Sequence, residues 1–237
     1  MKKRFRQGRL RLSAFFDKIS AKRVLAAALL CVLAAGFFVP AHAVTGAIDD
    51  IAQVESDAWL LMDAGTGQLL AAKNPDKQKY PASITKLLNA YTALKYLRPE
   101  TVLTMTWDIR SIVPEDTSLA GIYVGNSLTT ENVLRAMLVP SGSDAAHLMA
   151  VSAGWAIAGD PSLSAQQAED VFVEEMNRQA QSMGLINTHF TNCDGYPDYY
   201  HYTCMADLVT IATACLDTPL IRDTVRCAQT TFSCTDG

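Results

Sequence analysis

Positive charge is scarce past residue 43. The 237 residues hold 20 Lys and Arg against 24 Asp and Glu, but nine of the basic residues and one acidic residue fall within 1–43, leaving 11 against 23 and a net charge of −12. Nucleic acid and anionic lipid surfaces both demand clustered positive charge, so neither is an expected partner. There is no C-x-x-C pair, and the four histidines (His42, His147, His189, His201) stand outside any zinc-ligand spacing, so no metal site is expected. After Val39 no uncharged apolar run approaches the about 20 residues that a membrane-spanning helix needs. No internal repeat and no low-complexity segment occurs.

What is present begins with a leader. Nine Lys and Arg precede the uncharged run Val24–Val39 (VLAAALLCVLAAGFFV), and Ala41-His42-Ala43 fits a small-x-small cleavage site. Residues 1–43 therefore read as a signal peptide, with a retained anchor or peripheral membrane association as the alternative, and residues 44–237 as one exported domain large enough for a substantial core. Of the six cysteines, Cys31 leaves with the leader. Outside the cytoplasm the pairs Cys193–Cys204 and Cys227–Cys234 are expected to close as disulfides, with Cys215 in a helix; five reduced thiols are the alternative.

Residues 57–63 (DAWLLMD) and 67–72 (GQLLAA) predict two strands joined by the glycine-containing turn AGTG. Ile84, Leu87, Leu88, Tyr91, Leu94 and Leu97 recur at helical spacing, predicting a helix over 83–97 capped by Ser83 and stopped by Pro99. Ile122–Val124 reads as a short extended piece. Helices are expected from Thr129 or Thr130 to Leu138, from the segment SGSDAAHLMAVSAGWAIAG onward, over Ser164–Met183 ending at Gly184, and over 203–216. Strands early and a block of helices afterwards predict an α+β layered domain with a helical subdomain.

The sequence YPASITK places Ser83 three residues before Lys86. On one helical face the amine reaches the hydroxyl, and apolar surroundings favour the neutral, basic form of the lysine. Serine needs such a base, because its hydroxyl is a weak nucleophile at neutral pH. A plain cap beside a solvated charge would produce the same spacing, so placement has to decide.

Three blocks in order supply that placement. LLMDAGTGQLLAAKNPDKQKYPASITKLLNAYTAL, LVPSGSDAA at 138–146 and HFTNCDGYPDYYHYTCMADL at 189–208 resemble the serine D-alanyl-D-alanine carboxypeptidases, the low-molecular-weight penicillin-binding proteins. The resemblance runs from about Trp59 to Leu216. It implies the serine β-lactamase and penicillin-binding-protein fold: an antiparallel sheet flanked by helices plus a mainly helical subdomain. It also implies a peptidoglycan stem peptide as substrate, β-lactams as covalent inhibitors, and no metal or organic cofactor. Ser83 would be the nucleophile, Lys86 its base, Ser141 a proton relay to the leaving amine, and Ser143 a substrate-binding residue.

Two departures stand out. The family's Ser-x-Asn motif here reads Ser141-Gly142-Ser143, with Asp144 expected as a first-turn helix acid. No K-T-G or K-S-G occurs in the 237 residues, and this motif carries the family's carboxylate-binding group and one oxyanion donor. The sequence thus reads as a catalytic domain incomplete at its C-terminus. A β-lactamase-like hydrolase and a non-catalytic wall-binding remnant are the competing readings. His147 is expected to be packed or exposed rather than catalytic, and His189 and His201 to hold the third block in shape. Tyr196, Tyr199, Tyr200 and Tyr202 are expected as a partly buried loop cluster rather than a glycan surface.

Overall fold

The computed structural model describes residues 54–236; the leader expected at 1–43 lies outside the described residues. Strands β1 (Trp59–Met62) and β2 (Leu69–Lys73) form an antiparallel hairpin. Its turn is held by Asp63, whose carboxylate accepts the backbone N–H of Thr66 at 2.7 Å and the Thr66 hydroxyl at 2.8 Å. A 3-10 turn (Ala82–Ile84) leads into α1 (Thr85–Ala93).

Next come β3 (Val102–Thr104), α2 (Trp107–Ser111), β4 (Asn126–Thr129), α3 (Thr130–Leu138), α4 (Ser143–Ala158) and α5 (Ala165–Ser182). Helices α6 (Met205–Asp217) and α7 (Pro219–Val225) and strand β5 (Thr235–Asp236) follow. Strands β3, β4 and β5 make a second antiparallel sheet in the order β3-β4-β5, so the expected sheet is in two pieces among the described residues.

The apolar core lies between the helices. Leu88 of α1, Met137 of α3, Leu148 and Met149 of α4, and Phe172 and Met176 of α5 are all fully buried. Helix α4 is apolar nearly all round, as a central helix must be. It crosses α5 so closely that a Cβ on Gly154 would stand 1.9 Å from the Ala168 carbonyl oxygen; only glycine fits there. Helix α5 begins with a capping box, Ser164 and Gln167 bonding each other's backbone.

Four expectations need correction. The helix over 83–97 is shorter, and Ser83 does not cap it: the N-cap position is Ile84, with no side-chain cap bond, because the Ser83 hydroxyl faces Lys86 instead. Residues 122–124 are not a strand but a loop, clamped at Ile122 N–H by Asp144 and at Tyr123 N–H by Asn126. Strands β3 and β4 and helix α7 were not anticipated, being only three, four and seven residues long. Neither expected disulfide forms among the described residues. Cys193 is buried in the core, while Cys204 turns to the start of α6 and accepts the Asp207 N–H at 3.5 Å.

Candidate active site

The chain enters the nucleophile turn through Ala82, whose φ of +47° is left-handed. That conformation costs an L-residue on the order of 1–2 kcal/mol and signals a position held by its surroundings. The surroundings are visible. Gly195 of the third block, φ +91°, lies so close beneath that an added Cβ would be 1.9 Å from the Ala82 carbonyl oxygen. The turn leaves Ser83 exposed and buries Lys86, which is 3% exposed.

Lys86 Nζ stands 3.1 Å from Ser83 Oγ and 2.8 Å from the Asp194 carbonyl oxygen, to which it donates. Burial lowers its pKa, against the opposing charges of Asp194 and Asp144 and the Cys193 thiol group. The expected pair is therefore brought together, with the amine pushed toward its neutral form.

Ser143 joins them: a cavity of about 240 Å³ is lined by Ser83, Lys86, Ser143, Ser118, Thr117 and the Asp194–Pro197 segment, among others. Ser143 itself is buried at the first position of α4, and its N–H donates to the Ser118 carbonyl at 2.7 Å. Ser141 is not among the lining residues. Its backbone is left-handed at φ +64°. Gly142 between them has no room for a Cβ, which would lie 2.6 Å from Ala120 Cβ and 2.8 Å from the Ala136 carbonyl.

Asp144 is the first-turn acid that the sequence predicts, and it does more. Its carboxylate accepts four backbone N–H groups, from Ala120 (2.8 Å), Gly121 (2.9 Å), Ile122 (2.8 Å) and Ala145 (2.9 Å), fixing the loop that carries Thr117 and Ser118 to the cavity. Sequence reasoning missed that loop, since nothing in residues 116–118 has a chemical signature. It also missed the Asp194-Gly195 wall, for which the D-G dipeptide was the available signal.

His189 and His201 bond to backbone and side chains of the third block and its surroundings. His201 is buried, its Nε2 2.8 Å from Thr85 Oγ1 and its Nδ1 accepting the Thr191 N–H at 3.1 Å. Nδ1 thus has no proton, and Nε2 donates to Thr85, next to Lys86. Burial pushes this imidazole down to a pKa of about 4. The fold accordingly binds fewer protons here than the unfolded chain between pH 4 and 6.5, so the stability His201 adds is present above 6.5 and lost as pH falls toward 4. Denaturation at a series of pH values should show the wild type losing about 3 kcal/mol more than His201→Gln across this window; parallel curves would contradict the assignment. The tyrosines contradict their expectation. Tyr199 is 78% and Tyr200 64% exposed, and with Tyr80 and Tyr202 they line an open groove of about 570 Å³. The loop is held by backbone bonds such as His189 N–H to Tyr202 carbonyl, which leaves the rings outside.

A serine beside a desolvated lysine at the floor of a cleft is the arrangement of a covalent acyl-transfer enzyme. The chain belongs to the D-alanyl-D-alanine carboxypeptidase family, whose profile matches residues 43–233. It is 29% identical over 216 residues to the D-alanyl-D-alanine carboxypeptidase DacA of Escherichia coli, covering 86% of this chain and 49% of that one. A D-alanyl-D-alanine carboxypeptidase of Streptomyces sp. K15 is 31% identical over 168 residues, 70% of this chain and 56% of the relative. Among solved structures, the Streptomyces K15 DD-transpeptidase superposes with a TM-score of 0.64 at 28% identity, covering 70% of this chain and 62% of that one. These neighbours bear out the penicillin-binding-protein fold. The chain spans about half the length of the curated relatives it matches.

Proposed function

We propose that this chain acts as a serine D-alanyl-D-alanine carboxypeptidase on peptidoglycan stem peptides. The observation that carries the reading is Lys86 Nζ, buried and 3.1 Å from the exposed Ser83 Oγ. In this reading Lys86 takes the Ser83 proton as Oγ attacks the carbonyl of the penultimate D-Ala. The Ser83 N–H holds the developing oxyanion, and the proton returns to the departing D-Ala from Lys86, since Ser141, the relay expected from the sequence, is not among the residues that line the cavity. Ser143, in the lining of the same cavity, supports the peptide, and water then frees the acyl-enzyme. β-Lactams would trap the same serine. Export is part of the proposal, supported by the basic and apolar leader and by the location of such a substrate; no helix among the described residues is long and apolar enough to cross a membrane.

The test is release of D-Ala from a stem pentapeptide by the full chain. Release by the wild type is expected. Ser83→Ala should abolish it. Release equal in the two proteins, or none from either, would overturn the proposal.

A further inference from the structure

Behind the wall on which Lys86 leans lies a second polar cluster, which the proposed reaction does not use. His147 of α4, Glu169 of α5 and Cys193 of the loop before Asp194 are 4%, 5% and 0% exposed. A ring nitrogen of His147, a carboxylate oxygen of Glu169 and Cys193 Sγ all lie within 4.8 Å of one another. His147 Nδ1 is 2.8 Å from Glu169 Oε2. Its other nitrogen, Nε2, is buried with no hydrogen-bond partner and stands 3.8 Å from Asp194 Oδ2, too far for a bond.

We propose that His147, Glu169 and Cys193 form a buried transition-metal site, suited to Zn²⁺. The donor set of imidazole, thiolate and carboxylate fits zinc and is unsuited to Ca²⁺ or Mg²⁺, which take oxygen ligands. Atoms sharing a tetrahedral zinc stand roughly 3.3–3.8 Å apart, given metal–ligand lengths of about 2.0–2.3 Å. The side chains need to close by roughly 1 Å from their 4.8 Å limit. Charge also balances, because one thiolate and the Glu169 carboxylate neutralise a dication in a dry interior.

Loading the ion forms metal–ligand bonds and sends the Cys193 thiol proton, and any second proton on His147, to solvent; nothing is oxidised or reduced. Until then burial, aided by the charges of Glu169 and Asp194, holds the thiol well above its ordinary pKa and therefore protonated. The ligands come from two helices and a loop, with His147 and Glu169 22 residues apart, which is why no ligand spacing shows in the sequence. Bound metal would tie the Cys193–Gly195 segment to α4 and α5, and that segment carries both the carbonyl that receives Lys86 and the glycine under Ala82.

The experiment is independent of the carboxypeptidase reading. Since all three ligands are buried, the full chain is refolded in excess Zn²⁺, passed over chelating resin, and analysed for metal by mass spectrometry. About one zinc per chain is expected, kept in Cys227→Ser/Cys234→Ser and lost in Cys193→Ser and His147→Gln. Refolding in Co²⁺ should give the thiolate-to-cobalt charge-transfer absorption and the visible bands of a tetrahedral ion. This spectrum of the wild type decides the matter should the variants fail to fold. Folded wild type that leaves the resin without metal, or shows no cobalt–thiolate band, would overturn the site. Metal retained by folded Cys193→Ser would overturn it equally.

Discussion

Lys86→Met is expected to reduce acylation of the chain by benzylpenicillin about a hundred- to ten-thousandfold, the span that a positioned general base contributes, while leaving the fold as stable as before or more so. The reasoning starts from burial. Lys86 is 3% exposed and carries an amine whose hydrogen-bond partners among the described residues are Ser83 Oγ and the Asp194 carbonyl. An unpaired buried ammonium is expensive, and burial has already lowered its pKa. Methionine matches the length of the stem, fills the same space and removes that cost, at the expense of one hydrogen bond of about 1 kcal/mol. A residue kept against its own solvation is kept for its chemistry. Acylation kinetics followed by mass, beside a denaturation curve, check both halves. Acylation within a few-fold of wild type would show that Lys86 is not the base.

Gly195→Ala is the second large effect, and it acts through backbone. At φ +91° any L-residue is strained, and the new Cβ would meet the Ala82 carbonyl at 1.9 Å from oxygen and 2.3 Å from carbon. No side chain can swing away to relieve this, because both partners are main chain and Ala82 is itself left-handed. The variant should lose at least about 3 kcal/mol of stability, in the range reserved for strain at special positions. Whatever relaxation it finds must move the turn that presents Ser83, so acylation should fall as well. Gly159→Ala provides the comparison: φ is +65° but no atom lies within 4 Å, so only the conformational cost of about 1 kcal/mol applies. Equal losses in the two variants would mean that the close approach of Gly195 to Ala82 is not what the site depends on.

The site's chemistry was legible in the sequence where it depended on local spacing. Ser83 and Lys86 are three apart, and a helical turn brings them together whatever the rest of the fold does. Helix α5 could be read to within a residue at each end, Ala165–Ser182 against an expected Ser164–Met183, because Gly184 marks where it stops. Ser83 misled as a cap for a related reason: a serine before an apolar helix looks the same whether its hydroxyl bonds the backbone or a lysine. The rest depends on contacts between distant segments. Gly195 reads as an ordinary turn glycine until Ala82, more than a hundred residues earlier, lies across it. His147 looked like one more residue of an apolar helix, and only the packing of α4 on α5 sets it against Glu169. Strands β3 and β4 escaped notice because Val102–Thr104 and Asn126–Thr129 are too short for alternation to register. The cysteine pairing failed because closeness along the chain does not aim two thiols at each other, and Cys193 points into the core.

The most direct test of the account is the intact mass of the folded full chain after incubation with benzylpenicillin, beside Ser83→Ala. The geometry predicts a persistent adduct of one penicillin on the wild type and none on the variant, because Ser83 Oγ and Lys86 Nζ are already 3.1 Å apart. Wild type that is folded by circular dichroism and gains no mass, or a Ser83→Ala variant that gains the same mass, would contradict it.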